Sequence, residues 1–376
     1  MMGKEGGSPS EGYAIRAMLE AGFSVTHVTP GVPVLSDTEG HENLRFIRLE
    51  NPFKKLVFLK KSGVSFFYSL PTIIAWTSEV SRWLEKSGEM FDLVVGHGLE
   101  TTFALSRTAR FLKVPSISRL YGISVSLESL RKPLLRERFF HLMYLLRRPP
   151  GHIILTDDGT CGDQAMGMFG IPSSRYDFIR NGYEPELLKI KPQIASPSYV
   201  LTAARLVEEK RVDRVIQIAY ILKDRHPDLG FIILGEGPER QRLVRLAKKL
   251  GITDKFFFKG SVSRSKVHEI LSGASVVLST QDASNLNNTV LEALVLGKPV
   301  VTLDVGCTRE LVRHEETGLL YKDKDLEGAA KGIERVLRDS EFRKTLAMNA
   351  RTLARSALKP WPARIADEAA IYRRFI

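Results

Sequence analysis

Arg205 and Lys210 are two cations placed just after YVLTA, an apolar, β-branched run of the kind that forms a buried parallel strand. At a strand's carboxyl edge such a pair can neutralise a diphosphate and oppose the charge that grows on a departing phosphate. Asn287, Asn288 and Thr289 open a second candidate site. Asn288 suits the N-cap of a helix over Thr289–Leu296, closed by Gly297 and Pro299, and the free N–H groups and dipole of a helix start attract phosphate. Glu292 falls on the same face one turn later, where a carboxylate can accept hydrogen bonds from ribose hydroxyls. In LGEGPER, Gly235 and Gly237 allow close backbone approach. His97 ends the apolar run 91–96, where α/β sheets carry active residues. The chemistry these residues suit is recognition of a nucleoside diphosphate.

These residues need strands and helices in alternation to hold them. Helical patterns cover 10–21, 62–86 with a break at Pro71, 101–112 and 159–169. Strand patterns cover 23–29, 43–49, 91–96, 115–120, 152–156 and 176–179. A second series begins at Tyr199, with a helix over 212–225 and strands at 231–234, 275–280 and 299–305, and the rhythm repeats to Tyr321. Helices over 327–338 and 341–356 follow, then an amphipathic end over 363–376. The alternation predicts an α/β fold with mainly parallel sheets. Pro185, Pro192 and Pro197 cluster where periodicity stops, which places a boundary within 182–197.

With 376 residues, 43% hydrophobic and 26% charged, the chain has material for two cored domains. A net charge of +12 favours an acidic or phosphorylated partner. Nucleic acid ranks low, because no recognition motif accompanies the basic clusters. One cluster, Arg131 to Arg148, interleaves basic with apolar and aromatic residues and reads either as a helix lying on anionic lipid or as a core helix with a solvated face. A weaker one is Lys54, Lys55, Lys60 and Lys61 near Phe53, Phe58, Phe66 and Phe67. The start MMGKEGGSPSEGY has no apolar signal core, and the run 64–76 falls short of a membrane span. Cys161 and Cys307 lack metal-ligand spacing, so the expectation is a reducing, cytoplasmic location without structural disulfides. The Asp-x-Asp at Asp323 and Asp325 precedes a helix, which favours capping by Asp325 over metal binding; no metal is expected.

The run NTVLEALVLGKPVVTLDVGCTRELV, with TGLLY downstream, resembles retaining glycosyltransferases of family 4, which have the GT-B fold. The resemblance implies two Rossmann-like domains facing each other across a cleft: 1–182 on the acceptor side, 183–357 for the nucleotide-sugar, and a tail, 358–376, crossing back. It implies transfer of a hexosyl group from a nucleotide-sugar, without metal or other cofactor, to the hydroxyl of a glycan or lipid-linked acceptor, in polysaccharide or glycolipid synthesis at the inner membrane face. Glu292 matches the second of the family's paired glutamates, a ribose ligand, and Ser284 stands at the first, a donor-sugar contact. Arg205 and Lys210 match its phosphate site, although Arg211 stands where the family commonly has glycine. Gly235 and Gly237 match its glycine-containing loop, His97 matches a histidine after a similar strand, and Arg119 and Tyr121 occupy the acceptor side. TDDGTCGDQA and the hinge-side NGY also resemble family members. Two other readings stand beside this one: a non-catalytic nucleotide-sugar-binding subunit, to which Ser284 points, and a sugar-nucleotide epimerase of the same fold.

GKEGGSPSEGYAIRAMLEAGF resembles the family's first glycine loop and the helix after it, and an apolar strand normally precedes that loop. The expectation is a natural start about 10–20 residues upstream, as strand and loop lengths suggest.

Overall fold

The computed structural model describes residues 9–29, 41–49, 65–123, 150–191, 193, 195–283 and 285–375. They form two compact units. The first holds the residues up to Asp157, Cys161–Arg180 and Pro362–Ile376; the second holds Asp158–Thr160 and Asn181–Trp361.

In the first unit, helix α1 (Pro9–Glu20) leads into β1 (Val25–Thr29), which pairs parallel with β2 (Leu44–Arg48). Helix α2 (Ser65–Ser87) follows. It runs through Pro71, which the sequence reading took as a break: an internal proline removes one backbone donor and kinks more often than it stops a long helix. Strand β3 (Val94–His97), helix α3 (Thr102–Leu112), β4 (Ser116–Leu120), β5 (His152–Asp157), helix α4 (Gly162–Met168) and β6 (Tyr176–Arg180) complete a four-stranded parallel sheet in the order β3-β4-β5-β6. β4 and β5 are buried along their whole length, their polar residues Ser116, Ser118, Arg119, His152, Thr156 and Asp157 included.

The second unit has a six-stranded parallel sheet. Its strands are β7 (Tyr199–Ala203), β8 (Gly230–Leu234), β9 (Phe256–Gly260), β10 (Val276–Ser279), β11 (Val300–Leu303) and β12 (Leu319–Tyr321), in the order β12-β11-β10-β7-β8-β9. Between them run α5 (Val212–Leu222), α6 (Arg240–Lys249), α7 (Arg264–Gly273) and α8 (Asn288–Leu296), and then α9 (Leu326–Arg338) and α10 (Ser340–Ala357). One core cluster joins Val215, Ile218, Phe231, Val276 and Ile333. Another joins Leu201, Val277, Leu291, Leu294 and Val300. Two successive strand residues, Val276 and Val277, thus enter different clusters, the period-two signature of a sheet covered on both faces. β7 lies where the strand order reverses, and the loops that leave β7 and β10 diverge there, opening a crevice at their carboxyl ends.

The last helix, α11 (Trp361–Tyr372), belongs from Pro362 onward to the first unit. Its Glu368 accepts hydrogen bonds from Arg119 on β4 (Nε–Oε1 2.6 Å) and from Arg364 (Nη2–Oε2 2.7 Å), and Tyr372 donates to the same carboxylate at 3.2 Å. All four side chains are buried.

Both cysteines are disulfide-bonded, which corrects the expectation of a chain without structural disulfides. Among the described residues no helix is long and apolar enough to cross a membrane. The basic segments 131–148 and 54–61 lie outside the described residues.

Candidate active site

Lys210 lies in the loop that leaves β7, and its Nζ donates to Gln281 Oε1 in the loop that leaves β10 (2.5 Å). Together with Asn287 and Thr289 at the start of α8, these two side chains line a small cavity at the carboxyl ends of β7 and β10, of about 10 Å³. That volume admits no more than a water, so a nucleotide would lie over these loops rather than inside them.

The loop after β10 is held by buried amides and a hydroxyl. Ser279 Oγ donates to Asn285 Oδ1 (2.8 Å), and Asn285 Nδ2 donates to the carbonyl of Gln281 (2.8 Å). Asn285 is fully buried, so this network fixes the path of the loop that carries Gln281. The helix cap lies one residue earlier than the sequence reading placed it. Asn287 has extended dihedrals and its Oδ1 accepts from Val290 N, while Asn288 Oδ1 accepts from Asn181 Nδ2 of the NGY stretch at 2.7 Å. The first backbone-to-backbone bond of the helix is Leu291 N to Asn287 O. The N–H groups of Asn288 and Thr289 therefore precede it, in the position that receives an anion.

Arg211, where the family commonly has glycine, adopts a left-handed φ of 48°. Glycine reaches that region freely and arginine does not, so the turn keeps a glycine's shape at a cost in strain. The Arg211 guanidinium pairs with Asp213 and Asp282, which helps hold the turn. Arg205 is exposed and does not line the cavity.

Gly235 and Gly237 lie against the β7 loop. A Cβ on Gly235 would stand 2.0 Å from the carbonyl oxygen of Ala204, and one on Gly237 would stand 2.3 Å from that of Leu206. The backbone bonds from Leu206 N to Glu236 O and from Glu239 N to Leu206 O join the two loops. The glycines thus let the loops pack together and set the course of the segment from Arg205 to Lys210.

Glu292 is buried on α8. Its Oε1 meets Arg264 Nη2 at 3.0 Å and His268 Nε2 at 3.4 Å, both on α7, and Arg264 also pairs with Glu184 at 3.2 Å. Oε2 has no hydrogen-bond partner among the described residues. A carboxylate held by Arg264 on one oxygen, with the other left over, is equipped to accept from a hydroxyl. Sequence reasoning missed Arg264 and His268, though their spacing puts them on one face of a helix. Ser284 lies outside the described residues. Asp323 pairs with Arg214, and Asp325 caps α9 by accepting from Gly328 N at 2.9 Å.

In the first unit, His97 Nδ1 and the Tyr121 hydroxyl stand 2.7 Å apart. Burial, reinforced by His27 and Arg119, pushes the His97 imidazole down to about 3, so the ring is neutral. The sequence reading placed Arg119 on the acceptor side, and the structure shows where its guanidinium goes. Its side chain is 1% exposed and is consumed by Glu368, the Leu120 carbonyl and Thr156, because β4 is covered on both faces and its residues all turn inward. Below its ordinary value of 6.5 an unfolded histidine takes up a proton that folded His97 refuses until about pH 3, so stability is complete above 6.5 and declines as pH falls toward 3. His97→Gln is expected to flatten that decline in urea melts taken at pH 7, 6 and 5. An unchanged slope would show that the ring is exposed to protons when folded.

Residues 185–353 match the family model described as Glycosyl transferases group 1. The chain is similar to an uncharacterized glycosyltransferase, MJ1607, of Methanocaldococcus jannaschii, at 23% identity over 75% of this chain and 77% of that one. It is also similar to the alpha-D-kanosaminyltransferase of Streptomyces kanamyceticus, at 30% identity over 41% and 40% of the two chains, so it spans well under half of that relative. Among solved structures it resembles Anabaena Alr3699/HepE in complex with UDP and glucose, with a TM-score of 0.70 at 17% identity over 99% and 98% of the chains. Sucrose-phosphate synthase from Thermosynechococcus elongatus gives a TM-score of 0.72 at 19% identity over 95% and 90%. The fold is that of the GT-B glycosyltransferases.

Proposed function

We propose that the protein is a retaining, metal-independent glycosyltransferase of family 4. It moves a hexosyl group from a nucleotide-sugar to the hydroxyl of a glycan or lipid-linked acceptor, in the synthesis of a cell-surface glycan or glycolipid at the cytoplasmic face of a membrane. The observation that carries this reading is the convergence of Lys210, Gln281 and the start of α8 at the reversal point of the second sheet, inside the stretch that matches the group 1 model. The neighbours with UDP and with glucose support a nucleotide-sugar donor.

In this mechanism the diphosphate rests against Lys210, Arg205 and the N–H groups of Asn288 and Thr289, with the ribose on Glu292. The bond from the sugar's anomeric carbon to the diphosphate breaks, and its electron pair leaves with the phosphate. The acceptor oxygen bonds to that carbon on the same face and passes its proton to the departing phosphate oxygen. Lys210 opposes the charge that accumulates there. His97, being neutral, contributes on the acceptor side as a hydrogen-bonding group.

Glu292→Ala is expected to weaken nucleotide-sugar binding by about 1–3 kcal/mol, the loss typical of hydrogen bonds to a charged group. Titration calorimetry with UDP-, GDP- and ADP-sugars measures it, and unchanged affinity refutes the ribose role. Conversion of the donor to an epimer without acceptor would identify an epimerase instead. Binding with no turnover in the presence of acceptors would identify a non-catalytic subunit.

A further inference from the structure

Arg214 stands on the first turn of α5 and is buried, where a guanidinium is costly unless its donors are met. It meets acceptors from two loops. Nη1 donates to the carbonyl of Thr280 at 3.1 Å and stands 2.8 Å from Asp282 Oδ1, both in the loop that leaves β10. Nη2 donates to Asp323 Oδ1 at 2.6 Å, in the loop that leaves β12. Thr280 and Asp282 flank Gln281, whose Oε1 accepts from Lys210. One side chain therefore grips the β10 loop immediately before and immediately after the residue that aims Lys210.

The same two stretches are joined at further points. Thr280 Oγ1 donates to the carbonyl of Arg211 (2.9 Å), Asp282 N donates to the carbonyl of Glu209 (3.4 Å), and the Arg211 guanidinium reaches the Asp282 carboxylate at 3.3 Å. Residues 209–214 and 280–282 are thus laced together, with the bond from Lys210 to Gln281 inside the lacing. Arg211 and Asp282 are both in contact with water, and an exposed ion pair holds a loop weakly. Of the two arginines, Arg214 is the buried one. Asp323, the first carboxylate of the Asp-x-Asp pair, supplies the counter-charge at Nη2 and so leaves Nη1 to the β10 loop.

We propose that Arg214 is a positioning residue for Lys210: braced by Asp323, it fixes the β10 loop so that Gln281 holds the Lys210 ammonium where the distal phosphate of a nucleoside diphosphate binds. The proposal rests on the reading of Lys210 as a diphosphate-binding cation. Arg214 acts through Gln281 and touches no ligand, so its loss blurs recognition of the second phosphate and leaves the base, the ribose and the first phosphate as they were. A free diphosphate carries on its distal phosphate the charge that bond breaking leaves there, so it probes Lys210 without an acceptor.

Titration calorimetry with UDP, GDP and ADP and with UMP, GMP and AMP tests this in the parent, in Lys210→Ala, Gln281→Ala, Arg214→Leu and Asp323→Asn, and in Arg214→Leu combined with Gln281→Ala. For the base that binds, Arg214→Leu is expected to lower the ratio of diphosphate to monophosphate affinity about tenfold and to leave monophosphate affinity within about twofold. Added to Gln281→Ala, the same substitution is expected to change the ratio by less than about twofold, because its effect passes through Gln281. Asp323 is half exposed, so Asp323→Asn loosens Arg214 without emptying a buried site, and it is expected to lower the ratio by a smaller factor even where Arg214→Leu does not fold. A ratio unchanged in Asp323→Asn and in any folded Arg214→Leu overturns the proposal. So do equal losses for mono- and diphosphates, which would mark Arg214 as structural, and an effect that adds in full to that of Gln281→Ala. These outcomes count against Arg214 alone when Lys210→Ala lowers the ratio. An unchanged ratio in Lys210→Ala, or no binding of any diphosphate by the parent, refutes the reading of Lys210 and the proposal with it.

Discussion

Lys210→Ala is expected to lower the turnover number by about 10²–10³-fold, the loss typical of removing one group that stabilises developing charge in an active site. Donor affinity is expected to fall by a smaller factor. The asymmetry follows from what the ammonium group faces. In the proposed binding mode a nucleotide-sugar carries its diphosphate charge on several oxygens, shared by Arg205 and the start of α8, whereas bond breaking adds charge to the leaving phosphate, which that mode sets against Lys210. Its Nζ is already aimed by Gln281, itself fixed by the buried amide of Asn285, so no reorganisation is needed as the charge develops. Steady-state kinetics with saturating donor and acceptor, together with donor calorimetry, separate the two quantities. Equal losses in turnover and affinity would make Lys210 an anchor, and a loss confined to affinity would remove it from the chemistry.

Glu368→Ala is expected to destabilise the first unit by about 3–5 kcal/mol, because it leaves the Arg119 and Arg364 guanidiniums buried without their shared counter-charge. Burial alone would raise the Glu368 carboxyl, but Arg119 and Arg364 outweigh it and hold the group below its ordinary 4.5. A depressed carboxyl contributes stability in full above the ordinary value and loses it as pH falls through the folded one. Acid titration of the parent protein should therefore show a loss of stability that begins below about pH 4.5, and Glu368→Gln should shrink it. Guanidinium melts at pH 7 and pH 4 measure both effects. Parent and Glu368→Gln chains with the same pH dependence would mean that the carboxylate is already solvated.

The sequence read well where a local rule decides the outcome. The runs around β7, β10 and β11 are β-branched and unbroken, and Gly297 with Pro299 marks the end of α8, so the strand-helix-strand unit was legible almost residue by residue. The cap was misplaced by one because Asn287 and Asn288 are chemically equivalent caps, and only the backbone's extended turn at Asn287 selects between them. The burial of Arg119 was hidden for a deeper reason. A strand covered on both faces gives no alternation from which to tell inward from outward, and Glu368, the partner that makes the charge tolerable, lies 249 positions away. Gln281 and Asn285 lie in a loop without periodicity to set them apart, and their role appears once the loop folds back over Ser279. Pro71 was given a helix-breaker's weight, although α2 extends for many residues on its far side.

The arrangement of α11 also bears on the order in which the protein takes shape on the ribosome. Residues 362–376 are synthesised after the whole of the second unit, yet they belong to the unit whose strands are synthesised before it. The second unit, Asn181–Trp361, has all its strands and helices in hand by the time Trp361 emerges. The first unit must wait, with Arg119 deprived of Glu368 until position 368 has been made. Any interruption upstream of position 368 therefore leaves a nascent chain whose amino-terminal half lacks its closing helix, a state exposed to chaperones and proteases while its carboxyl-terminal half is already able to fold.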